Sequence, residues 1–263
     1  MSQELSLQQL HQIETDILQI FHDFCEEHSL IYYLFAGTLL GAIRHNGFIP
    51  WDDDVDVLMP RKDYEQFLKL FPKYNKLEYI QLATPQNTPN YYVPIAKIYD
   101  NRFKTNESKL RIPCSLGPWV DIFPLDNMGD TFNQAEKLQK KVFLWHRIRS
   151  WKATETGYKN FKCMLKTMIR WLLLPVPMRF FLQHIDKIAQ RYASATFTKY
   201  VFNVTLTPYR ADKIMLSEWF SGRELHAFEN HQFYIPSGWH EILRNFYGDY
   251  MTPPPPEKRT SHL

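Results

Sequence analysis

Cysteine is scarce in this sequence, and no apolar run is long. Its 263 residues hold three cysteines, Cys25, Cys114 and Cys163, widely separated and without a Cys-x-x-Cys pair. That argues against a disulfide framework and against a cysteine zinc site. The ten histidines include no His-Glu-x-x-His string and no close pair, so histidine-based zinc chemistry is not expected either. The most apolar stretch, Trp171 to Val176, is far shorter than the roughly 20 residues that span a bilayer. The first residues, Met-Ser-Gln-Glu-Leu, are polar and do not follow a signal-peptide pattern. The expected location is the cytoplasm. No recognised nucleic-acid-binding motif occurs, and no internal repeat is visible.

The chain is 44% hydrophobic and 16% aromatic, which suffices for a sizeable core and excludes disorder as its general state. Its length fits one large domain or two small ones. The net charge of +3 hides an asymmetry. Between Lys137 and Arg191, thirteen Lys and Arg face two acids, a local charge of +11. The remaining residues carry 18 basic and 26 acidic side chains, or −8. A basic module on an acidic body suggests an anionic partner surface.

Helical spacing of apolar residues predicts helices over Leu5–His28, Arg61–Phe71, Asn133–Trp151, Phe161–Leu174, Met178–Ala195 and Ser237–Tyr247. Ser237 is the expected N-cap of the last, and Gly248 its stop. Short apolar or alternating runs predict strands at Ile31–Ala36, Asp54–Val57, Leu77–Leu82, Tyr92–Tyr99, Trp119–Leu125, Tyr200–Leu206 and His231–Ile235. Gly37-Thr38 reads as a turn before a short helix at Leu39–Arg44.

Four of the five residues from Asp52 to Asp56 are aspartates, and an apolar run follows. Like charges this close resist desolvation unless a cation sits among them. As a strand, Asp54-Val55-Asp56-Val57 sends both carboxylates to one face. Asp121 is a single acid inside the apolar Trp119–Leu125. Three carboxylates on two neighbouring strands suit a hard divalent cation and metal-assisted phosphoryl transfer. An exposed acidic loop beside a half-buried strand is the plainer alternative; the Gly37-Thr38 turn and Asp121 favour the site.

Gly37-Thr38, Asp54-Val55-Asp56-Val57 and Val120-Asp121-Ile122 resemble the nucleotidyltransferase signature of a glycine turn, an Asp-x-Asp strand and a third acidic strand. The departures are Thr at the second turn position and a long spacer, the fifteen residues from Leu39 to Asp53. The longer strings, from Gly37 through Val57, from Val120 to Asp126, and from Tyr247 to His262, resemble the LicD family, related to the fukutin-type phosphotransferases. The resemblance covers nearly the whole chain and is weakest in the basic segment. It implies an α+β fold, a nucleotidyltransferase-like mixed sheet flanked by helices with a basic helical insertion. On that reading residues 1–130 form the catalytic core, 131–198 the basic helical segment, and 199–263 complete the same domain.

The resemblance further implies a phosphocholine transferase that uses CDP-choline, acts on a hydroxyl of a cell-surface glycan of lipopolysaccharide or teichoic acid type, and releases CMP. Asp54, Asp56 and Asp121 would hold Mg²⁺ or Mn²⁺, with Asp121 as base. Gly37 would let backbone approach the phosphates, Thr38 would bond a phosphate oxygen, and Arg44 and Lys97 would clamp the diphosphate. Arg44 also fits as a cation at a helix C-terminus, and Lys97 as an outward strand residue. Asp52 and Asp53 read as loop-fixing. Arg259 and His262 in the tail are candidates to fold over the nucleotide, and Tyr91, Tyr92, Trp51 and Trp119 to cage the choline ammonium. Residues 161–182 mix cations with an apolar face, suggesting peripheral contact with an anionic membrane at its inner face, where a lipid-linked acceptor would be presented. The rival readings are a metal-dependent glycosyltransferase using a sugar nucleotide, transfer of another alcohol phosphate such as ribitol phosphate, and a non-catalytic glycan- or choline-binding module.

Overall fold

A computed structural model describes residues 5–104, 116–153, 167–169, 171–205, 211–255, 257 and 259. Helix α1 (Leu7–Glu27) starts at a capping box in which Ser6 and Gln9 satisfy each other's backbone N–H groups. Its inward stripe includes Leu10, Ile17, Leu18, Phe21 and Phe24. Strand β1 (Tyr33–Leu34) leads into helix α2 (Ala36–His45), and strand β2 (Val55–Pro60) into helix α3 (Arg61–Tyr74). Phe24 of α1 meets Phe67 and Phe71 of α3 edge-on, at 5.7 and 5.0 Å between ring centres. The apolar stripes of the two helices are thereby buried against each other.

Strands β3 (Ile80–Ala83) and β4 (Ala96–Asp100) precede β5 (Trp119–Gly129), the long central strand. The sheet order is β1-β2-β5-β4-β3. Only β2 and β5 run parallel; β1–β2, β5–β4 and β4–β3 are antiparallel. A parallel pair needs a crossover, which α3, β3 and β4 supply. β5 is buried along nearly its whole length, as its apolar sequence requires with sheet on both edges. Helix α4 (Phe132–Ala153) follows, then helix α5 (Met178–Ala189) packed against it. The far half of β5 pairs with β6 (Tyr200–Phe202), which pairs with β7 (Met215–Leu216). A hairpin of β8 (Arg223–Phe228) and β9 (His231–Pro236) and helix α6 (Trp239–Tyr247) complete the elements.

This is an α+β fold with a mixed sheet flanked by helices, of nucleotidyltransferase-like layout. Several local expectations are corrected. Gly37 and Thr38 are not a turn before a helix but lie in the first turn of α2, whose ladder begins with Leu39 N–H donating to the Phe35 carbonyl at 3.0 Å. The strand expected at Ile31–Ala36 is cut to two residues because the chain is already helical by Ala36. Ser237 does not cap α6; Gly238 does, while the Ser237 hydroxyl takes the Gly222 N–H at 3.1 Å. Strand β8 was not expected, since Arg223 to His226 is mostly polar and pairs only with β9. Within the segment expected as a helix over 161–174, residues 167–169 and 171–173 are helical, while Lys162, Lys166 and Arg170 lie outside the described residues, as does His262.

Candidate active site

The register of three strands places charges in one row. Asp56 pairs with Asp121 across β2–β5, and Asp121 pairs with Lys97 across β5–β4. Side chains at paired positions share a sheet face, so carboxylate, carboxylate and ammonium stand side by side. Lys97 Nζ lies 2.9 Å from Asp121 Oδ1, and both residues are buried. Two residues along the same face of β5, the Trp119 indole N–H donates to Asp121 Oδ2 at 3.1 Å. The Lys97 ammonium also sits 3.8 Å from the Trp119 ring centre. Lys97 is therefore not an outward strand residue; it is buried between Asp121 and an aromatic face.

Asp54 lies one residue before β2, at the mouth of the row. Asp56 is anchored by its backbone: its N–H donates to the Thr38 hydroxyl oxygen at 2.8 Å, and its carbonyl accepts from Phe35 at 3.0 Å. The first turn of α2 is thus sewn to the acidic strand. A Cβ on Gly37 would come within 2.5 Å of Asp52 Oδ2, so a bare backbone there lets the acidic loop close on the helix. Burial raises the Asp56 carboxyl well above the usual carboxylate range, and the charges of Asp54, Asp121 and Asp52 add to the effect, against Lys97. Tyr247 of α6 is pushed up for the same reasons, burial first and then Asp56, Asp52 and Asp54.

Arg44 ends α2 and donates from Nη1 to the Tyr250 carbonyl at 2.8 Å. Arg259 of the tail stacks over Trp51 at 4.6 Å, and its charge, after burial, lowers the Arg44 pKa. Two guanidinium groups therefore lie near one another beside the acidic loop. Of the other aromatics, Tyr91 is buried with its hydroxyl given to the Ile95 carbonyl at 3.0 Å, and the Tyr92 carbonyl accepts from Arg149.

Three nearby groups went unrecognised in the sequence: Glu14, His11 and Tyr247. His11 Nε2 lies 2.7 Å from the Asp52 carbonyl oxygen, which ties α1 to the acidic loop. Glu14 did carry a signal. It falls among Leu10, Ile17, Leu18 and Phe21 on the apolar stripe of α1, where a carboxyl is out of place.

The donor chemistry fits a hard cation. The row holds oxygen ligands in excess of positive charge, the buried Glu14 Oε2 accepts no hydrogen bond, and Asp56 resists ionisation. Among the described residues, no three acidic or histidine side chains already close on one point; Asp121 is turned to Lys97 instead. A cavity of about 700 Å³ lies elsewhere, at the opposite end of β2 and β5, lined by Pro60, Arg61, Leu125 and Asp126. It contains none of the acidic row. Its floor is structural: Arg61 grips Asp126 with two bonds of 2.7 and 2.9 Å and Asp186 with a third of 2.8 Å.

An Asp-x-Asp strand beside a third acid on its parallel neighbour, sewn to a helix N-terminal turn, is an arrangement of nucleotidyltransferase-like layout. The LicD/FKTN/FKRP, nucleotidyltransferase domain profile matches residues 29–156, which hold every residue of the row. The chain is 29% identical over 262 residues, 98% of this chain and 96% of the relative, to the lipopolysaccharide cholinephosphotransferase LicD of Haemophilus influenzae. Shorter similarities, 38% and 36% over 58 residues (22% of this chain), link it to uncharacterized proteins of Rickettsia typhi and Rickettsia prowazekii, covering 19% and 22% of those proteins. Residues 29–156 are thus similar to the LicD-type nucleotidyltransferase domain, and nearly the whole chain is similar to a cholinephosphotransferase.

Proposed function

We propose that the protein transfers phosphocholine from CDP-choline to a hydroxyl of a cell-surface glycan, of lipopolysaccharide or teichoic acid type, releasing CMP. The in-register pairing of Asp56 with Asp121 carries this reading, because it aligns two carboxylates on one face beside a helix turn. Asp54, Asp56 and Asp121 would hold Mg²⁺ or Mn²⁺, which when bound neutralises diphosphate charge and draws electron density from phosphorus. Arg44 binds the donor's anionic oxygens, supported by its place beside Tyr250 and the tail's Arg259. Lys97 steadies Asp121, then offers its ammonium to the phosphate when Asp121 turns to its task. Asp121 takes the proton of the attacking hydroxyl. The new bond joins acceptor oxygen to the choline-side phosphorus, the bond from that phosphorus to the CMP oxygen breaks, and CMP leaves with the electron pair.

The test is CMP release from CDP-choline with a lipopolysaccharide acceptor, against CDP-ribitol and UDP-sugars as donors. CDP-choline turnover that is lost in Asp121→Asn is expected. Turnover of UDP-sugars alone would overturn the reading in favour of glycosyl transfer.

The acceptor's membrane also has a candidate contact. Trp171 is 65% exposed, Leu172 77% and Phe180 48%. Lys152 fixes this apolar tip by donating to the Leu173 and Leu174 carbonyls at 2.8 and 3.0 Å. Aromatic and aliphatic side chains beside Arg179 suit the headgroup zone of an anionic bilayer. Co-sedimentation with anionic but not zwitterionic vesicles, lost in Trp171→Ser/Leu172→Ser, is expected; equal binding to both lipid types would refute it. No described helix is long and apolar enough to cross a membrane.

A further inference from the structure

Helix α1 carries a carboxyl where its spacing asks for a hydrocarbon. Glu14 sits one turn after Leu10 and one before Ile17 and Leu18, and is 2% exposed. Its Oε2 meets no hydrogen-bond donor. A buried polar group left unpaired is destabilising, and a leucine at this position would avoid that cost. Something about the site must repay it.

The placement of α1 supplies a reason. The helix packs on β4 and β5, the strands that bear Lys97 and Asp121. It is fastened to the acidic loop by the His11 ring, 2.7 Å from the Asp52 carbonyl oxygen and stacked 3.8 Å from Phe48. Thr15 holds the same turn through a bond from its hydroxyl to the His11 carbonyl at 2.7 Å. Glu14 lies one turn further along, between these anchors and the row. The charged groups that act on it are Asp54, Asp53 and Asp121, with Lys97 opposing them. A carboxyl walled in by carboxylates and short of a donor takes either a proton or a cation, and a divalent ion would satisfy Glu14 and its acidic neighbours together.

We propose that Glu14 is a fourth carboxyl of the acidic centre and contributes an oxygen to a divalent cation from the α1 side, facing Asp54 and Asp121. The inference rests on the cation site proposed above and adds a residue to it from a separate element. It makes α1 part of the site rather than a support for the sheet. It also gives the His11–Asp52 tether a role, since the tether fixes Glu14 against the strand that carries Asp54.

The experiment is binding of Mn²⁺ alone to the full chain, read by electron paramagnetic resonance of the free ion, in wild type, Glu14→Gln, Glu14→Asp and Asp56→Asn. Glutamine has the same shape and removes the charge. Loss even of an outer partner of a metal site weakens affinity roughly 10- to 100-fold, so removing the charge of a direct oxygen ligand in Glu14→Gln is expected to weaken Mn²⁺ binding at least tenfold. Its unloaded melting temperature is expected to stay at or above the wild-type value, because an unpaired buried carboxyl is gone. Glu14→Asp keeps the charge on a shorter stem and is expected to fall between the two; if the glutamine variant does not fold, this variant decides. Mn²⁺ affinity unchanged in both Glu14 variants, but lost in Asp56→Asn, overturns the Glu14 inference and leaves the cation site standing. Absence of Mn²⁺ binding in the wild type overturns both.

Discussion

Replacing Lys97 by methionine should expose how much positive charge the acidic row needs. The Lys97–Asp121 pair is 2.9 Å long, with side chains 8% and 12% exposed. At an effective dielectric constant of about 20, two unit charges at that distance attract by about 6 kcal/mol. Removing the ammonium also removes its own desolvation cost, so the loss is smaller than the attraction. Breaking one partner out of a buried pair typically costs about 3–5 kcal/mol. Two further effects push toward the upper end. The contact of the ammonium with Trp119 at 3.8 Å is lost. Asp121 is then left facing Asp56 across β2–β5 with no positive charge on its other side. Methionine nearly preserves the volume of the stem, so cavity formation adds little. The expected loss is about 4 kcal/mol by urea denaturation near pH 7.5 in a chelator. Mg²⁺ should restore more stability to the variant than it adds to the wild type, because the same carboxylates now lack their resident cation. A loss under about 1 kcal/mol, or a Mg²⁺ effect no larger than in the wild type, would refute the reasoning.

Thr38→Val keeps shape but withdraws the acceptor from the Asp56 N–H in a buried setting; a cost of about 1–3 kcal/mol and reduced CMP release are expected, and unchanged turnover would show that this link does not position Asp56. Asp126→Asn should cost about 3–5 kcal/mol by leaving Arg61 underpaired in a buried pocket. CDP-choline affinity should be unchanged there, because the Arg61 cluster lies at the other end of the strands. The pH dependence follows from Asp56, whose folded carboxyl is held above its usual value by burial first and by Asp54 and Asp121 next. The folded state then binds the proton more tightly than the unfolded chain, so this contribution is complete below about pH 4 and is lost as pH rises through the raised value. In a chelator, the melting temperature of Asp56→Asn relative to wild type should therefore climb as pH increases from about 4; a flat or falling difference would contradict the assignment.

The part of the site that was legible came from local pattern. Asp54-Val55-Asp56-Val57 alternates with the period of a strand, and Asp121 interrupts an apolar run, so the two strands and their acids could be read without coordinates. The pairing of Lys97 with Asp121 could not, because it depends on β4 running antiparallel to β5 in one particular register. A shift of one residue would have sent Lys97 to the other face. Gly37-Thr38 was misplaced because a glycine reads as a turn by propensity, whereas here its missing Cβ makes room for Asp52 inside a helix. Ser237 lost the cap to Gly238 because its hydroxyl is taken by Gly222 across the chain. Glu14 was visible as a misfit on an apolar stripe, yet its reason lies in residues about 40 to 107 positions later in the chain. Local periodicity carries no information about such partners.

The central claim is that carboxylates from β2 and β5 grip a divalent ion against the diphosphate of the donor. Isothermal titration of CDP-choline into the wild-type protein, once with Mg²⁺ and once with a chelator, tests it most directly. Binding is expected to require Mg²⁺ and to disappear in Asp56→Asn. Equal affinity with and without the ion would contradict it.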